Sequence, residues 1–230
     1  MNRTACRIAG ITLLCTLAVP AARGEDEKHT LKTTEAKAPA ELKDEVATLL
    51  EPVVHQVLDG KGQLFCEVWF RKSVPAKATE AQVQNGLTYR EIEQTTLLGA
   101  IRFAQKGKDY RGQEVPAGVY TLRLAIQPQD GDHMGTSPHP EFCLLVKADR
   151  DTKPTTMPFK SLVDVSAKSI DGNHPAIFLL FPVVKPSAKA ELADQGTGHW
   201  VVRQELKVEV NGKEAKIGIG LTVVGHSASG

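Results

Sequence analysis

From residue 53 onward, apolar and polar positions alternate in short runs, the period of extended strands. Residues 53–58 and 63–71 flank Asp59-Gly60-Lys61-Gly62 and read as a hairpin. In its second arm Leu64, Cys66, Val68 and Phe70 share one face, and Phe65, Glu67 and Trp69 the other, the pattern of a central strand. Residues 97–103 predict a further strand, and residues 89–93 a shorter one. Residues 119–127 alternate most cleanly. Tyr120, Leu122, Leu124 and Ile126 fall on one side, Thr121, Arg123 and Gln127 on the other. Residues 142–147 and the apolar run 176–181 add two strands. Asn211-Gly212 joins two long alternating segments. The first carries Trp200, Val202, Leu206, Val208 and Val210 inward, and the second Ile217, Ile219, Leu221 and Val223.

Helical spacing occurs twice. Leu42, Val46, Leu49 and Leu50 form one short face that Pro52 ends. Phe159, Leu162, Val163 and Ser166 form another over residues 156–168, with Thr155 or Thr156 as the cap and Pro158 in the first turn. Residues 72–86 read as a loop or a small helix. The sum is seven to nine short strands, two short helices and no repeat. It predicts a mainly β chain, an antiparallel β-sandwich of Ig-like or Greek-key-like kind.

The first residues follow a different rule. Arg3 and Arg7 precede an uncharged apolar run over residues 8–22, with small residues before Gly24. That run is short for a membrane span and has the flanks of a secretory signal. The expected organisation is a signal peptide over 1–24, a polar tether and the start of a short helix over 25–48, a sandwich over 49–225 and a tail over 226–230. Removing Arg3, Arg7 and Arg23 takes the 28 basic residues to 25 against 27 acidic ones. A chain so close to neutral has no global field for nucleic acid. No later segment is long and apolar enough to span a membrane. The expected location is secreted or periplasmic. Of four cysteines, Cys6 and Cys15 lie in the leader, which leaves Cys66 and Cys143 as either a disulfide or two buried thiols.

Chemistry concentrates in one loop. Residues 128–141 hold Asp130, Asp132, His133, His139 and Glu141. Asn173 and His174 lie in a second polar loop, and His199 is a weaker addition. Loops at one end of a sandwich build binding surfaces. Asp130, Asp132, His133, His139, Asn173 and His174 are the candidate ligand-binding residues. His133, His139, His174 and Asp132 would suit a divalent transition metal if they met in space. The competing reading is turn chemistry without a ligand. No cofactor is otherwise implied, and the partner would be an envelope or extracellular ligand or protein. There is no Gly-x-Ser-x-Gly elbow and no phosphate-binding loop, and Gly218 and Gly220 belong to a strand. Trp69 and Trp200 are candidate sugar platforms, or core residues.

Pro116-Ala117-Gly118-Val119-Tyr120 has the chemistry of a tight turn feeding a strand, with Tyr120 placed to bond the turn backbone as in a tyrosine corner. The block Gly118-Val119-Tyr120-Thr121-Leu122-Arg123, followed by Gln127-Pro128-Gln129-Asp130-Gly131-Asp132-His133-Met134-Gly135, resembles a family of exported bacterial proteins of unassigned function. The similarity covers roughly residues 49–225, with Asn173-His174-Pro175-Ala176 and residues 217–225 as later blocks. It implies export and a β-rich fold and carries over no catalytic residue. Cys143 stands where the family pattern calls for an aliphatic residue.

Overall fold

A computed structural model describes residues 28–128, 139–196 and 198–227. In chain order the strands are β1 (Thr30–Glu35), β2 (Val53–Leu58), β3 (Leu64–Phe70), β4 (Val74–Ala76), β5 (Leu97–Phe103), β6 (Gly107–Lys108) and β7 (Glu114–Val115). They continue with β8 (Gly118–Ile126), β9 (Glu141–Lys147), β10 (Ile177–Leu179), β11 (Glu191–Asp194), β12 (Trp200–Val210) and β13 (Lys213–Val224). The helices are α1 (Asp44–Ala47), α2 (Glu80–Asn85) and α3 (Phe159–Ser169).

The chain is mainly β, and two sheets face each other. The larger is antiparallel in the order β1-β2-β3-β5-β8-β9-β10. Its strands follow one another along the chain, so it is a meander, without the crossing connection of a Greek key. In the smaller sheet β12 pairs β13 on one side. On the other side it pairs β11 at Trp200–Arg203 and β4, in parallel, at Val208–Val210. The inter-sheet core takes Cys66, Val68 and Phe70 from β3 and Tyr120, Leu122 and Leu124 from β8. From the other side come Val202, Leu206 and Val208 of β12 and Ile217, Ile219 and Leu221 of β13. A Leu180–Leu221 bridge ties the end of β10 to β13 and closes one flank.

The outer face of the larger sheet is also covered. Leu42, Val46 and Leu50 around α1 pack on Val54, Trp69 and Leu97. Leu162 of α3 packs on Ala125, Phe142, Leu144 and Val146. This second layer explains why β3, β8 and β9 carry apolar residues on both faces. Ser166 and Ser169 pin α3 down: Ser166 Oγ accepts from Ala176 N at 3.1 Å, and Ser169 Oγ accepts from Lys147 N at 2.9 Å.

The turns follow their residues. Asp59 Oδ1 accepts from the amides of Lys61 and Gln63, and Gly62 takes φ 77°. Asn211 and Gly212 take φ 52° and 76°, the twist a two-residue hairpin needs. The Tyr120 hydroxyl donates to Pro116 O at 2.9 Å, which is the corner expected of it.

Several expectations are corrected. The stretch 25–39 is not wholly a tether, because β1 pairs β2 along its full length. Residues 89–91 are a 3₁₀ turn, capped by Thr88 and Glu91, and not a strand. The helix α3 starts after Pro158 without a side-chain cap. There are three helices among the described residues. Cys66 and Cys143 are both free and buried. Their strands are separated by β5 and β8, so three strand spacings, roughly 14 Å, exceed disulfide reach.

Arg123 lies on the second face of β8, which is also interior, and the residue is 0% exposed. Nε and Nη2 donate to the two Asp151 carboxylate oxygens at 2.7 and 2.8 Å. Nη1 donates to the carbonyls of Thr95 and Thr155, and Nη2 also to that of Lys153. All five N–H groups are used. Thr121 donates to the same carboxylate. The network straps residues 151–155 onto the sheet between the two outer apolar patches.

Candidate ligand-binding cleft

Of the loop residues nominated from sequence, those that are described do not gather at one place. Asp130, Asp132 and His133 lie outside the described residues. At the base of their segment, Gln127 N donates to Pro140 O at 2.7 Å. Glu141 pairs with Arg90 at 3.3 Å. The His139 ring meets Phe181 edge-on, 4.5 Å between centroids. Asn173 and His174 are exposed at the opposite end of the sheet. The β9–β10 register decides this. Ile177 faces Leu144 and Leu179 faces Phe142, so residue 174 extends toward 147 while 139 precedes 141. Eight residues of strand are roughly 26 Å. His139 and His174 therefore cannot share one ion, whose ligands each sit about 2 Å from it. Among the described residues no group of three His, Cys, Asp or Glu is placed to hold a metal.

The other nominated groups are committed to the fold. Burial pushes the Cys66 and Cys143 thiols far above their ordinary range, which removes them as nucleophiles at neutral pH. Burial also raises Tyr120, to about 12. Trp69 is 2% exposed, which ends its candidacy as a sugar platform. Trp200 is half-buried with its ring 5.5 Å from that of His29.

A cleft of about 310 Å³ opens instead where the neighbours of β12 change. Pairing with β11 ends at Arg203 and pairing with β4 begins at Val208. Over the residues between, on the side away from β13, the Glu205 amide donates to Ser187 O at 2.8 Å. Residues 188–190 form one lip, and β1, β2 and the end of β3 form the other. Val53, Phe70 and Leu206 supply apolar surface.

His55 lies in this cleft and is 5% exposed. It alternates with Val53 and Val57 on the inward face of β2. Its Nδ1 is 3.1 Å from Thr33 Oγ1 on the paired strand β1, and its ring is 5.7 Å from that of Phe70. It also bonds the Gln204 side chain, which reaches from β12 across the gap between the sheets. Burial lowers its pKa to about 4, and the Gln204 bond acts in the opposite sense. The imidazole is neutral at neutral pH and bridges the two sheets.

Charge collects at the rim. Lys72, Lys189 and Lys207 line it with Glu51 and Glu205. Lys216 engages Glu205 at 2.8 Å. The Lys72 ammonium donates to Thr48 O at 2.7 Å, a neutral partner. Lys207 reaches Glu214 only at 3.9 Å.

Sequence reasoning passed over His55 and Gln204. The signal was present: each is a polar residue at an inward position of an otherwise apolar stripe, Val53-x-His55-x-Val57 and Val202-x-Gln204-x-Leu206. What could not be read was that these positions face each other. No protein-family model matches the chain, and no curated protein or solved structure matches it either.

Proposed function

We propose that this chain is an exported, non-catalytic binding module of the cell envelope or the extracellular space, and that its ligand is a small molecule held in the cleft between the sheets. The leader-like first residues support export, as does the block around residues 118–135 that resembles exported bacterial proteins. The observation that carries the binding reading is the cleft itself. At about 310 Å³ it falls at the small end of the range for small-molecule sites, with apolar walls and a few placed polar groups. Its histidine is hydrogen-bonded to Thr33 and Gln204, and a pKa near 4 makes it a poor base at neutral pH. Such a site holds a ligand and does not transform it. His139 and His174 lie at opposite ends of the sheet and do not contribute to one site.

The test is a small-molecule screen of the chain lacking residues 1–24, followed by amide chemical shifts. Binders should perturb Val53, His55, Gln204 and Leu206 together. Binders whose perturbations cluster anywhere else on the molecule would remove the cleft as the functional site.

A further inference from the structure

We infer that the cleft takes a ligand with an oxyanion head group, carboxylate or phosphate, carried on a small apolar body. This rests on the cleft being the ligand site and adds the class of ligand. The whole chain has 28 basic and 27 acidic residues, so a local excess of one sign is not a reflection of composition. At the rim three lysines face two glutamates, and Glu205 is already engaged by Lys216, which lies outside the cleft. Lys207 is likewise engaged from outside the cleft, by Glu214 at 3.9 Å, which leaves Glu51 against Lys72 and Lys189. Both are exposed and stand on opposing lips, Lys72 just past the end of β3 and Lys189 on residues 188–190.

The choice of side chain narrows the head group. Ammonium groups act as point charges, whereas planar bidentate recognition needs a guanidinium fork. Arg71 also lines the cleft, but its Nη1 is directed at Leu97 O, 3.4 Å away. The lysines of the rim select negative charge, which admits carboxylate and phosphate alike. Below it, Val53, Phe70 and Leu206 offer apolar surface, and the neutral imidazole of His55 brings no charge to the floor. A cation would meet three ammonium groups on the way in. A neutral ligand would use the floor and gain nothing from the rim.

The chain lacking residues 1–24 is titrated with benzoate, phenyl phosphate, benzyl alcohol and benzylamine, and the amides of Val53, His55, Gln204 and Leu206 are followed. Benzoate or phenyl phosphate should bind about three- to tenfold more tightly than benzyl alcohol, the gain of two partly exposed charge contacts. Raising salt to about 1 M should erase that preference. The double substitution Lys72→Gln/Lys189→Gln should abolish the preference and leave benzyl alcohol binding unchanged. The ratio of benzoate to phenyl phosphate affinity identifies the head group. Equal or tighter binding of benzyl alcohol or benzylamine would overturn the anion inference while leaving the cleft as a ligand site. Silence of all four amides toward every probe would overturn the cleft reading as well.

Discussion

His55 is where residue chemistry and fold stability meet. Its ordinary pKa is 6.5, and burial brings it to about 4 in the folded chain. The folded state therefore prefers the neutral ring. Above pH 6.5 the contribution to stability is complete. As pH falls from 6.5 toward 4 the unfolded chain takes up the proton first, and stability is lost. The full difference corresponds to roughly 3 kcal/mol. Asp109 works in the other sense. It is fully buried, accepts from the amides of Arg111, Gln113 and Ile177, and burial raises its pKa, so it favours folding as pH falls. A single pH profile mixes the two. Comparison of wild type with His55→Gln separates them, because Asp109 is common to both. Urea unfolding at pH 7 and pH 4.5 should show wild type losing about 2 to 3 kcal/mol more than the variant between the two conditions. Parallel losses would mean that the ring is accessible to protons in the folded chain. Arg123 holds the complementary lesson. Its alternation with Leu122 and Leu124 was legible, but the Asp151 that neutralises it lies 28 residues away, and no local pattern announces that pairing. A charged residue on the second face of a strand ordinarily marks solvent. Here it marks an ion pair between two apolar patches.

Elements were legible where the apolar pattern was strong. The strands β5, β8 and β12 lie within a residue or two of their expected bounds, because a one-residue slip would turn every apolar side chain outward, whereas β13 begins four residues before the expected Ile217. The polar edge strand β1 was not legible. In Thr30–Glu35 only Leu31 packs on the core, and residues 32–35 are Lys-Thr-Thr-Glu, polar throughout. Only pairing with β2 makes it a strand. The glycines of β13 record a similar long-range demand. Residues 181–183 cross over Gly218 and Gly220, Phe181 N donates to Gly220 O at 2.7 Å, and the Tyr89 hydroxyl donates to Phe181 O and accepts from Gly220 N. A Cβ at 218 would overlap the carbonyl oxygen of Val183, a backbone atom without freedom to rotate away. Gly218→Ala should therefore destabilise the chain by about 1 to 3 kcal/mol, in the manner of overpacking, as read by urea midpoint. The opposite outcome, a gain from the lower entropy of alanine in the unfolded chain, would show that the crossing segment shifts freely over β13.

At the scale of the whole molecule, the two sheets behave as one body only if their shared core opens all at once. Cys66 and Cys143 test this directly. Both lie in the inter-sheet core, on different strands of the larger sheet, and both are 0% exposed. Burial raises both thiol pKa values, so neither reacts as a thiolate while the sheets are closed. In the chain lacking residues 1–24 they are the only cysteines. A thiol reagent should thus modify none in the folded state and two after denaturation. Under native conditions, where labelling waits on opening, the two should be modified at equal rates, with an opening free energy equal to that of global unfolding. The alternative is specific. Cys143 lies on β9, beside the three-residue strand β10 at the sheet margin, whereas Cys66 lies on β3, flanked by β2 and β5. Faster labelling of Cys143 would mean that β10 peels away from β9 before the sheets part. The Leu180–Leu221 bridge would then be a latch on one flank and not a seam of the common core. Equal rates would place that flank, and the cleft near the opposite margin, in one cooperative frame. A rigid frame of that kind is what a preformed binding site requires.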